Sequence, residues 1–231
     1  MELIEGQIKH QFIPTEVMSF SNIQTNKLIL KNDVFEKWEA TSTVKGEYIV
    51  CNAVSKLKKC SKRIVKETYE EYLDFIMNRD IEKDRWIYNI IDGLAEQENI
   101  MYRDDFSITM PTYTWDAKNI EKLHILCIPL DKQLRTIREL TKEHIPLLER
   151  MKKTTLEKIE EVYGLKEDNL KIYFHYDPST YHLHIHFVNI RYKDAGSSVE
   201  YSHDLDSVIF NLTLDKDYYR KIQLNRRFVI I

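Results

Sequence analysis

The sequence predicts an α+β fold with a small N-terminal domain and a larger C-terminal domain that holds an antiparallel sheet and helices. Short apolar runs between polar turns fill the chain up to about Asn52, and the apolar residues take on a helical period from Ser55. Strand-like and helix-like segments then follow without an internal repeat. We therefore expect a strand-rich domain over residues 1–54, a connecting helix and hinge over 55–80, and the larger domain over 81–231.

The N-terminal part carries two periodicities. Residues 27–30 and 47–51 are apolar runs bounded by polar turns, which predicts two strands. Between residues 55 and 78 apolar side chains recur at steps of three and four, which predicts one helix. Lys56 and its basic neighbours give the first half of that helix a positive charge.

A second helix is predicted over residues 81–98, with Trp86, Ile90, Ile91 and Leu94 on its inner side. These four residues follow helical spacing, so one face of the helix is apolar. We expect that face to pack against the core of the larger domain.

The segment from residue 106 to Gly164 predicts two strands and a long helix. The strands cover residues 106–110 and 122–128. The helix begins after Thr141, a residue type suited to an N-cap, and ends at Gly164, which suits a C-cap.

Two further strands are predicted over residues 170–176 and 182–190. The connecting residues 177–180 read Asp-Pro-Ser-Thr, which is turn chemistry, so the two strands are expected to form a hairpin. Residues 227–231 predict a last strand.

Glycine and proline are scarce, with five of each in 231 residues. This composition excludes collagen-like and low-complexity chains. The glycines are also too far apart to form either a dinucleotide-binding fingerprint or a P-loop. A glycine-lined phosphate cradle is therefore excluded.

Charge and cysteine content point to a soluble intracellular protein. The net charge of −3 gives no general nucleic-acid footprint. The number of cysteines is odd, and none of them form a C-x-x-C pair: Cys51, Cys60 and Cys127. This indicates reduced, buried thiols. The N-terminus lacks the apolar stretch of a signal peptide, and no apolar run approaches the ~20 residues of a membrane span.

Four of the eight histidines lie within twelve residues, at His175, His182, His184 and His186. The last three alternate with apolar residues. On a strand, residues two apart share a face, so we expect a row of imidazoles on one face and apolar side chains on the other.

Three interpretations of this row compete: an exposed strand face, a metal site, and covalent catalysis. His182 and His184 could share a zinc ion, but His186 lies about 13 Å from His182 along an extended strand. No cysteine or H-E-x-x-H pattern offers a further ligand. Covalent catalysis is favoured, because a neutral imidazole is a nucleophile at cellular pH and its neighbours can orient it.

The run His-φ-His-φ-His-φ-φ over residues 182–188, with φ apolar, resembles the signature of the histidine-triad hydrolases and nucleotidyl transferases. Within that group the chain is similar to the scavenger mRNA-decapping enzymes, the DcpS type. The resemblance extends from Asn32 to the C-terminus and is carried by these further stretches: 32–35, 86–92, 95–97, 134–138, 143–148 and 175–187.

The resemblance implies a reaction. Its members hydrolyse residual m7GpppN caps and short capped oligonucleotides from mRNA decay into m7GMP and a nucleoside diphosphate or oligonucleotide, with no cofactor and no metal. By position His184 matches the nucleophile, which forms a transient phosphohistidine link to m7GMP. His182 and His186 match its flanking partners.

The resemblance also implies the substrate contacts. Trp86 matches the ring that stacks on the methylated guanine, a cation–π contact. Glu96 matches the carboxylate that accepts hydrogen bonds from the guanine edge, and Asn32 matches a contact from the N-terminal domain. His175 and Ser179 match phosphate-contacting positions.

Four positions depart from the family pattern. Thr112 and Thr114 replace a carboxylate and a phosphate-binding lysine, and Tyr201 replaces an arginine. Thr180 stands where the family has tyrosine and keeps a hydroxyl for the substrate. We expect weaker phosphate binding, for which Lys56 and its neighbours could compensate.

The expected protein is thus a homodimer with a dimer-swapped N-terminal domain and a C-terminal histidine-triad domain that is catalytic. Its partners are a capped dinucleotide or short capped RNA and no membrane, and its location is the cytoplasm, with the nucleus left open. Three alternatives remain: a cap-binding or regulatory homologue with weakened turnover, a histidine-triad hydrolase for other dinucleoside polyphosphates, and a metalloenzyme.

Overall fold

The computed structural model describes the following residues: 23–31, 36–42, 61–193 and 195–230. The chain divides into two compact units, one made of Met1–Ser61 with Val229–Ile231 and the other of Lys62–Phe228. Each unit is described by itself. The boundaries that the sequence predicts for the domains stay a prediction.

The first unit contains an antiparallel pair of strands, β1 (Ile23–Lys31) and β2 (Glu36–Ser42). The register of the pair shifts twice, between Thr25 and Lys27 and again between Leu28 and Leu30. The strand predicted over 27–30 lies within β1 and is confirmed. The strand predicted over 47–51 falls outside the described residues.

The helix predicted over 55–78 is wrong for residues 61–67. These residues form β3 (Ser61–Glu67), which pairs with β10 (Leu224–Ile230) in a two-stranded sheet. The β-branched Ile64 and Val65 suit a strand, and the pairing partner lies far away in sequence, so local periodicity could not reveal it. The predicted last strand lies largely in β10, and residues 55–60 fall outside the described part.

The remainder of that predicted helix is α1 (Tyr69–Met77). Thr68 starts the helix because its side chain accepts the N–H of Glu71, while the Glu71 carboxylate accepts the N–H of Thr68. Tyr72 and Ile76 are the buried residues of its inner face.

The helix predicted over 81–98 is shorter in the structure. A 3-10 turn over Ile81–Asp84 leads into α2 (Arg85–Ile91), and a second 3-10 turn covers Gln97–Asn99. Between them Gly93 has a φ of +77°, a left-handed conformation that a helix cannot continue through.

The predicted inner face of that helix is half correct. Ile90 and Ile91 are buried against the sheet, together with Ile87. Trp86 is 38% exposed and Leu94 is 75% exposed, so neither belongs to the core. Leu94 lies beyond the end of α2, and Trp86 lies on the outer side of its first turn.

Six antiparallel strands form the central sheet in the order β4-β5-β6-β8-β7-β9. The prediction of an α+β fold with an antiparallel sheet and helices is confirmed, and the strands predicted over 106–110 and 122–128 appear as β5 and β6. The bounds of the six strands are β4 Tyr102–Arg103, β5 Ser107–Pro111, β6 His124–Pro129, β7 Leu170–His175, β8 Ile185–Asn189 and β9 Ser202–Asp204.

The hairpin of β7 and β8 is confirmed, but the strand predicted over 182–190 begins later, at Ile185. His182 and His184 therefore precede the sheet ladder. The reason is local: the N–H of Leu183 donates to the carbonyl of Leu134, in a loop, instead of to a neighbouring strand.

Three helices complete the larger unit. The predicted long helix is α3 (Ile145–Tyr163), preceded by a 3-10 turn that Thr141 caps and ended by Gly164 at a φ of +67°. Helices α4 (Leu205–Leu214) and α5 (Tyr218–Lys221) were not predicted.

Helices cover the sheet and bury two apolar clusters. One includes α3 and α4 residues such as Leu148 and Val208, and Cys127, which is buried and free as expected. Cys51 and Cys60 fall outside the described residues. Of the helices in the described part of the chain, none is long and apolar enough to cross a bilayer.

Candidate active site

Three imidazoles meet at the loop end of the β7–β8 hairpin. The ring centroids of His175 and His186 are 4.7 Å apart, those of His184 and His186 are 4.8 Å apart, and those of His175 and His184 are 5.5 Å apart. His175 ends β7, His186 lies within β8, and His184 precedes β8 by one residue. Three of the four histidines of the predicted cluster are thus in contact. The expectation of one row of imidazoles is wrong for His182, whose ring bonds the Pro129 carbonyl and packs against Tyr88.

His184 has a defined tautomer. Its Nδ1 lies 2.7 Å from the carbonyl oxygen of His182. A carbonyl can only accept, so Nδ1 of His184 carries the proton and Nε2 of the neutral ring carries the lone pair. Burial lowers the pKa of His184, with the nearby Asp84 carboxylate acting in the opposite direction, so the ring is neutral at pH 7.

His182 reaches the cluster through its backbone. Its side chain is fully buried and Nε2 donates to the carbonyl of Pro129 at 2.7 Å, while the edge of the Tyr88 ring packs at 5.6 Å. Burial lowers the pKa of His182 to about 4, so its imidazole is neutral. Its carbonyl, in contrast, orients His184.

His186 is held from two sides. Its Nδ1 lies 2.8 Å from Nε2 of His124, and the ring of Tyr173 stacks on it at 5.0 Å and 10°. Within the part of the chain that the structure describes, Nε2 of His186 is buried without a hydrogen-bond partner. Burial holds the pKa of His186 well below its usual value. This neutral ring can therefore offer Nε2 to a bound ligand.

His124 is the residue that sequence reasoning missed. It begins β6, where it is opposite Val188 of β8, and it is buried beside His186. Its only signal in the sequence was a single histidine within the strand predicted over 122–128. The pairing of β6 with β8 places it in the cluster, and no spacing rule predicts that register.

His175, His184 and His186 could together bind a metal ion, because one ring nitrogen of each lies within 4.8 Å of the others. This differs from the pair of His182 and His184 considered from spacing, because Nε2 of His182 is engaged by the Pro129 carbonyl. Zinc binds histidine nitrogen at ~2.0–2.1 Å, so the three rings would close around an ion.

The two residues matched to the guanine site lie at the surface. Trp86 is on the first turn of α2 and Glu96 follows that helix. Glu96 is exposed and has a φ of +52°, a conformation that costs energy for a residue other than glycine and that concentrates at functional sites. Asn99 donates to its carboxylate at 3.5 Å. Both side chains are accessible to a ligand.

The positions matched to phosphate contacts divide into two groups. Ser179 is exposed and Thr180 is half-buried in the loop that leads to His182. Thr112 and Thr114 bond to each other through their hydroxyls at 3.0 Å, and the N–H of Thr112 donates to the carbonyl of His124.

The structure says less about two other positions that the sequence matched to the family pattern. Asn32 falls outside the described residues. Tyr201 accepts the N–H of Tyr176 through its carbonyl oxygen at 2.8 Å, which links β9 to the loop that follows β7. The predicted roles of all these side chains stay predictions.

Comparison with known proteins adds independent evidence. The family model described as "Scavenger mRNA decapping enzyme C-term binding" matches residues 85–202, which include the whole histidine cluster. The m7GpppX diphosphatase of Ascaris suum is 34% identical over 91% of this chain and 76% of that protein. The m7GpppX diphosphatase of Homo sapiens is 33% identical over 69% of this chain and 49% of that protein.

Similarity to solved structures is lower. The aprataxin ortholog Hnt3 from Schizosaccharomyces pombe aligns with a TM-score of 0.40 and 16% identity, over 60% of this chain and 83% of that one. That likeness is too remote to carry functional information. The family model and the curated relatives are sufficient: the chain belongs to the family of scavenger mRNA-decapping enzymes.

Proposed function

We propose that this protein hydrolyses m7G cap structures, m7GpppN or short capped oligonucleotides, to m7GMP and a nucleoside diphosphate or oligonucleotide. The observation that carries the proposal is the bond from Nδ1 of His184 to the His182 carbonyl. It leaves a lone pair on Nε2 of the neutral His184 ring, inside the histidine cluster. Covalent attack on phosphorus requires such a lone pair.

The reaction has two balanced steps. Nε2 of His184 attacks the phosphorus next to the m7G nucleoside, so that a P–N bond forms while the P–O bond to the leaving nucleoside diphosphate breaks. Water then attacks the same phosphorus, its proton passes to solvent and the P–N bond breaks, which releases m7GMP and restores the neutral imidazole. Neither step needs a metal or an added oxidant.

The neighbours of His184 divide the remaining tasks. Nε2 of His186 lies in the cluster and is available to a phosphate oxygen. His175 packs against both rings from the end of β7. His182 acts through its carbonyl, because its side chain is engaged with Pro129. Together these residues fix the geometry of attack.

The cap is recognised on α2 and the turn after it. Trp86 stacks on the methylated guanine and Glu96 accepts from its edge. Asn32 adds a contact from the N-terminal part. We also propose a homodimer with a swapped N-terminal domain, located in the cytoplasm and the nucleus.

A second candidate is a cap-binding homologue with slow turnover. The observation that favours it is the bond between the hydroxyls of Thr112 and Thr114, at positions where the family has a carboxylate and a lysine. Because no cation stands at these two positions, phosphate charge is less well compensated there. A Thr114→Lys variant that turns over faster at unchanged m7GMP affinity would favour this candidate.

Release of m7GMP from m7GpppG in the presence of EDTA tests the proposal. His184→Ala should remove turnover, whereas His144→Ala, a substitution outside the cluster, should leave it within about twofold. Cleavage of diadenosine polyphosphates at the same rate as m7GpppG would instead indicate a general dinucleotide hydrolase. Binding of m7GMP without any product would indicate the binding homologue.

A further inference from the structure

A buried ion pair lies beside the histidine cluster. Arg79 and Asp84 form a two-pronged bond, with Nη2 of Arg79 3.0 Å from Oδ1 of Asp84 and Nη1 bonded to Oδ2. Their side chains are only 8% and 3% exposed. Two charges removed from water in this way cost desolvation energy, so the pair is weak evidence for stability alone and invites a specific role.

Both members of the pair hold Tyr181, the residue before His182. Oδ1 of Asp84 accepts the backbone N–H of Tyr181 at 3.0 Å. The guanidinium of Arg79 lies 4.4 Å from the centre of the Tyr181 ring, and Phe75 packs on the same ring at 5.3 Å. The backbone and the side chain of Tyr181 are therefore fixed together.

This contact continues to the nucleophile in two short steps. The loop is held at Tyr181 by Asp84, and two residues later at Leu183, whose N–H donates to the Leu134 carbonyl. The peptide group between His182 and Leu183 is planar, so a fixed N–H also fixes the direction of the His182 carbonyl. That carbonyl accepts Nδ1–H of His184.

Asp84 also stands at the start of α2, two residues before Trp86. The same carboxylate thus ties the histidine loop to the helix that carries the proposed base-stacking tryptophan. The bond from Tyr181 to Asp84 therefore fixes the position of the proposed base site at Trp86 relative to the proposed nucleophile, His184.

We propose that Asp84, held in place by its pair with Arg79, is a positioning residue for His184: it sets the loop at Tyr181 so that the His182 carbonyl holds the Nδ1–H tautomer of the nucleophile. This inference rests on the proposed function for its kinetic consequence. Its structural consequence, the tautomer of His184, does not depend on turnover.

The test uses Asp84→Asn and a matched control, Asp104→Asn. Asp104 has the same architecture elsewhere: it accepts the N–H groups of Phe106 and Ser107 and pairs with Arg150, whose guanidinium lies 4.1 Å from the Phe106 ring. Its contacts hold the turn between β4 and β5.

For Asp84→Asn we expect kcat on m7GpppG to fall about ten- to a hundredfold with KM within threefold, since a displaced reacting group costs up to about 10² in rate. Asp104→Asn should keep kcat within about twofold. Asp84→Asn alone leaves Arg79 as a buried cation without its anion. The double variant Arg79→Gln with Asp84→Asn removes that cation, so it should regain the thermal stability that Asp84→Asn loses but should not regain kcat.

Nitrogen NMR of the His184 ring supplies the second readout. The full-length protein should show Nδ1–H, and Asp84→Asn should show a mixture of tautomers. An unchanged tautomer together with kcat within twofold of the unsubstituted protein would overturn the proposal, as would a double variant that recovers both stability and kcat. If the unsubstituted protein released no m7GMP, the proposed function would fail, and the tautomer comparison would still decide the role of Asp84.

Discussion

Nε2 of His124 lies 2.8 Å from Nδ1 of His186, which joins strands β6 and β8 by a side-chain bond inside the imidazole cluster. The bond has two consequences. It fixes the rotation of the His186 ring, and it leaves Nε2 as the nitrogen of His186 that can reach a ligand.

The first prediction concerns this bond. His124→Phe keeps an aromatic ring but removes the nitrogen that orients His186. Because a buried hydrogen bond of this kind contributes about 1–3 kcal/mol, kcat/KM on m7GpppG should fall about ten- to a hundredfold. Steady-state turnover checks it, with His144→Phe as the control for a histidine outside the cluster. Equal rates for His124→Phe and the unsubstituted protein would show that His186 needs no such support.

The second prediction concerns the pH dependence of turnover. Burial is the main cause that lowers the pKa of His184 below its usual value near 6.5. The nucleophile therefore stays neutral as the pH falls through 6.5, and it loses activity only when the pH falls further. A profile of kcat/KM between pH 5 and 8 should place the acid limb below 6.5. An acid limb at or above 6.5 would contradict the burial effect on His184.

The hairpin and its histidines could be predicted from the sequence, and the reason is that their signals are local. Residues 177–180 carry turn chemistry, and the alternation over 182–188 spans one short segment. His124 could not be predicted, since it enters the cluster through the register of β6 against β8. Strand β3 could not be predicted either, because its partner β10 lies far away in sequence, near the C-terminus.

Asp84 illustrates a different limit. Its sequence neighbours predict a charge near the start of a helix, where a solvated aspartate is common. Its burial arises because Arg79 and the N–H of Tyr181 converge on it from two other segments. No pattern within one segment contains that information.

The third prediction concerns metal ions. The proposed attack uses no ion, so EDTA should leave turnover unchanged. Added Zn²⁺ should inhibit, because the ligand nitrogens of His175, His184 and His186 lie within 4.8 Å of one another and zinc would occupy the nucleophile. His175→Asn should weaken zinc inhibition several-fold. Loss of activity in EDTA, restored by zinc, would contradict the metal-free mechanism.

The fourth prediction concerns stability at low pH. Burial lowers the pKa of His182 to about 4, whereas in the unfolded chain it is about 6.5. As the pH falls below 6.5, His182 becomes protonated in the unfolded chain but stays neutral in the folded protein. The free energy of unfolding therefore falls until about pH 4. For His182 alone the loss is about 3 kcal/mol. His203, whose pKa burial also lowers to about 4, acts in the same direction.

Urea unfolding at pH 7.0, 5.5 and 4.5 measures this loss. His182→Gln removes one of the titrating groups, so the dependence on pH should become shallower by about 1 kcal/mol per pH unit in that range. A free energy of unfolding that does not change between pH 7.0 and 4.5 would mean that His182 is protonated in the folded protein.

The fifth prediction concerns a second buried ion pair, which joins β3 to the loop before α3. Arg138 is fully buried and donates to the carbonyls of Glu67, Tyr219 and Ile222, while its guanidinium pairs with the Glu67 carboxylate. Arg138→Met removes the donor of these three carbonyls and one partner of the Glu67 carboxylate, which keeps its bonds from Tyr176 and Arg226, so the free energy of unfolding should fall by about 3–5 kcal/mol.

The matched control for that substitution is Arg191→Met. Arg191 pairs with Glu121 at 2.7 Å, but both side chains are largely exposed, at 73% and 65%. An exposed pair contributes about 0–1 kcal/mol, so this variant should unfold at nearly the same urea concentration as the unsubstituted protein. If the two variants lost equal stability, burial would not be what makes Arg138 important. Because Arg138 also contacts Tyr176, at the start of the loop to His182, the Arg138→Met variant should lose turnover at temperatures below its unfolding transition.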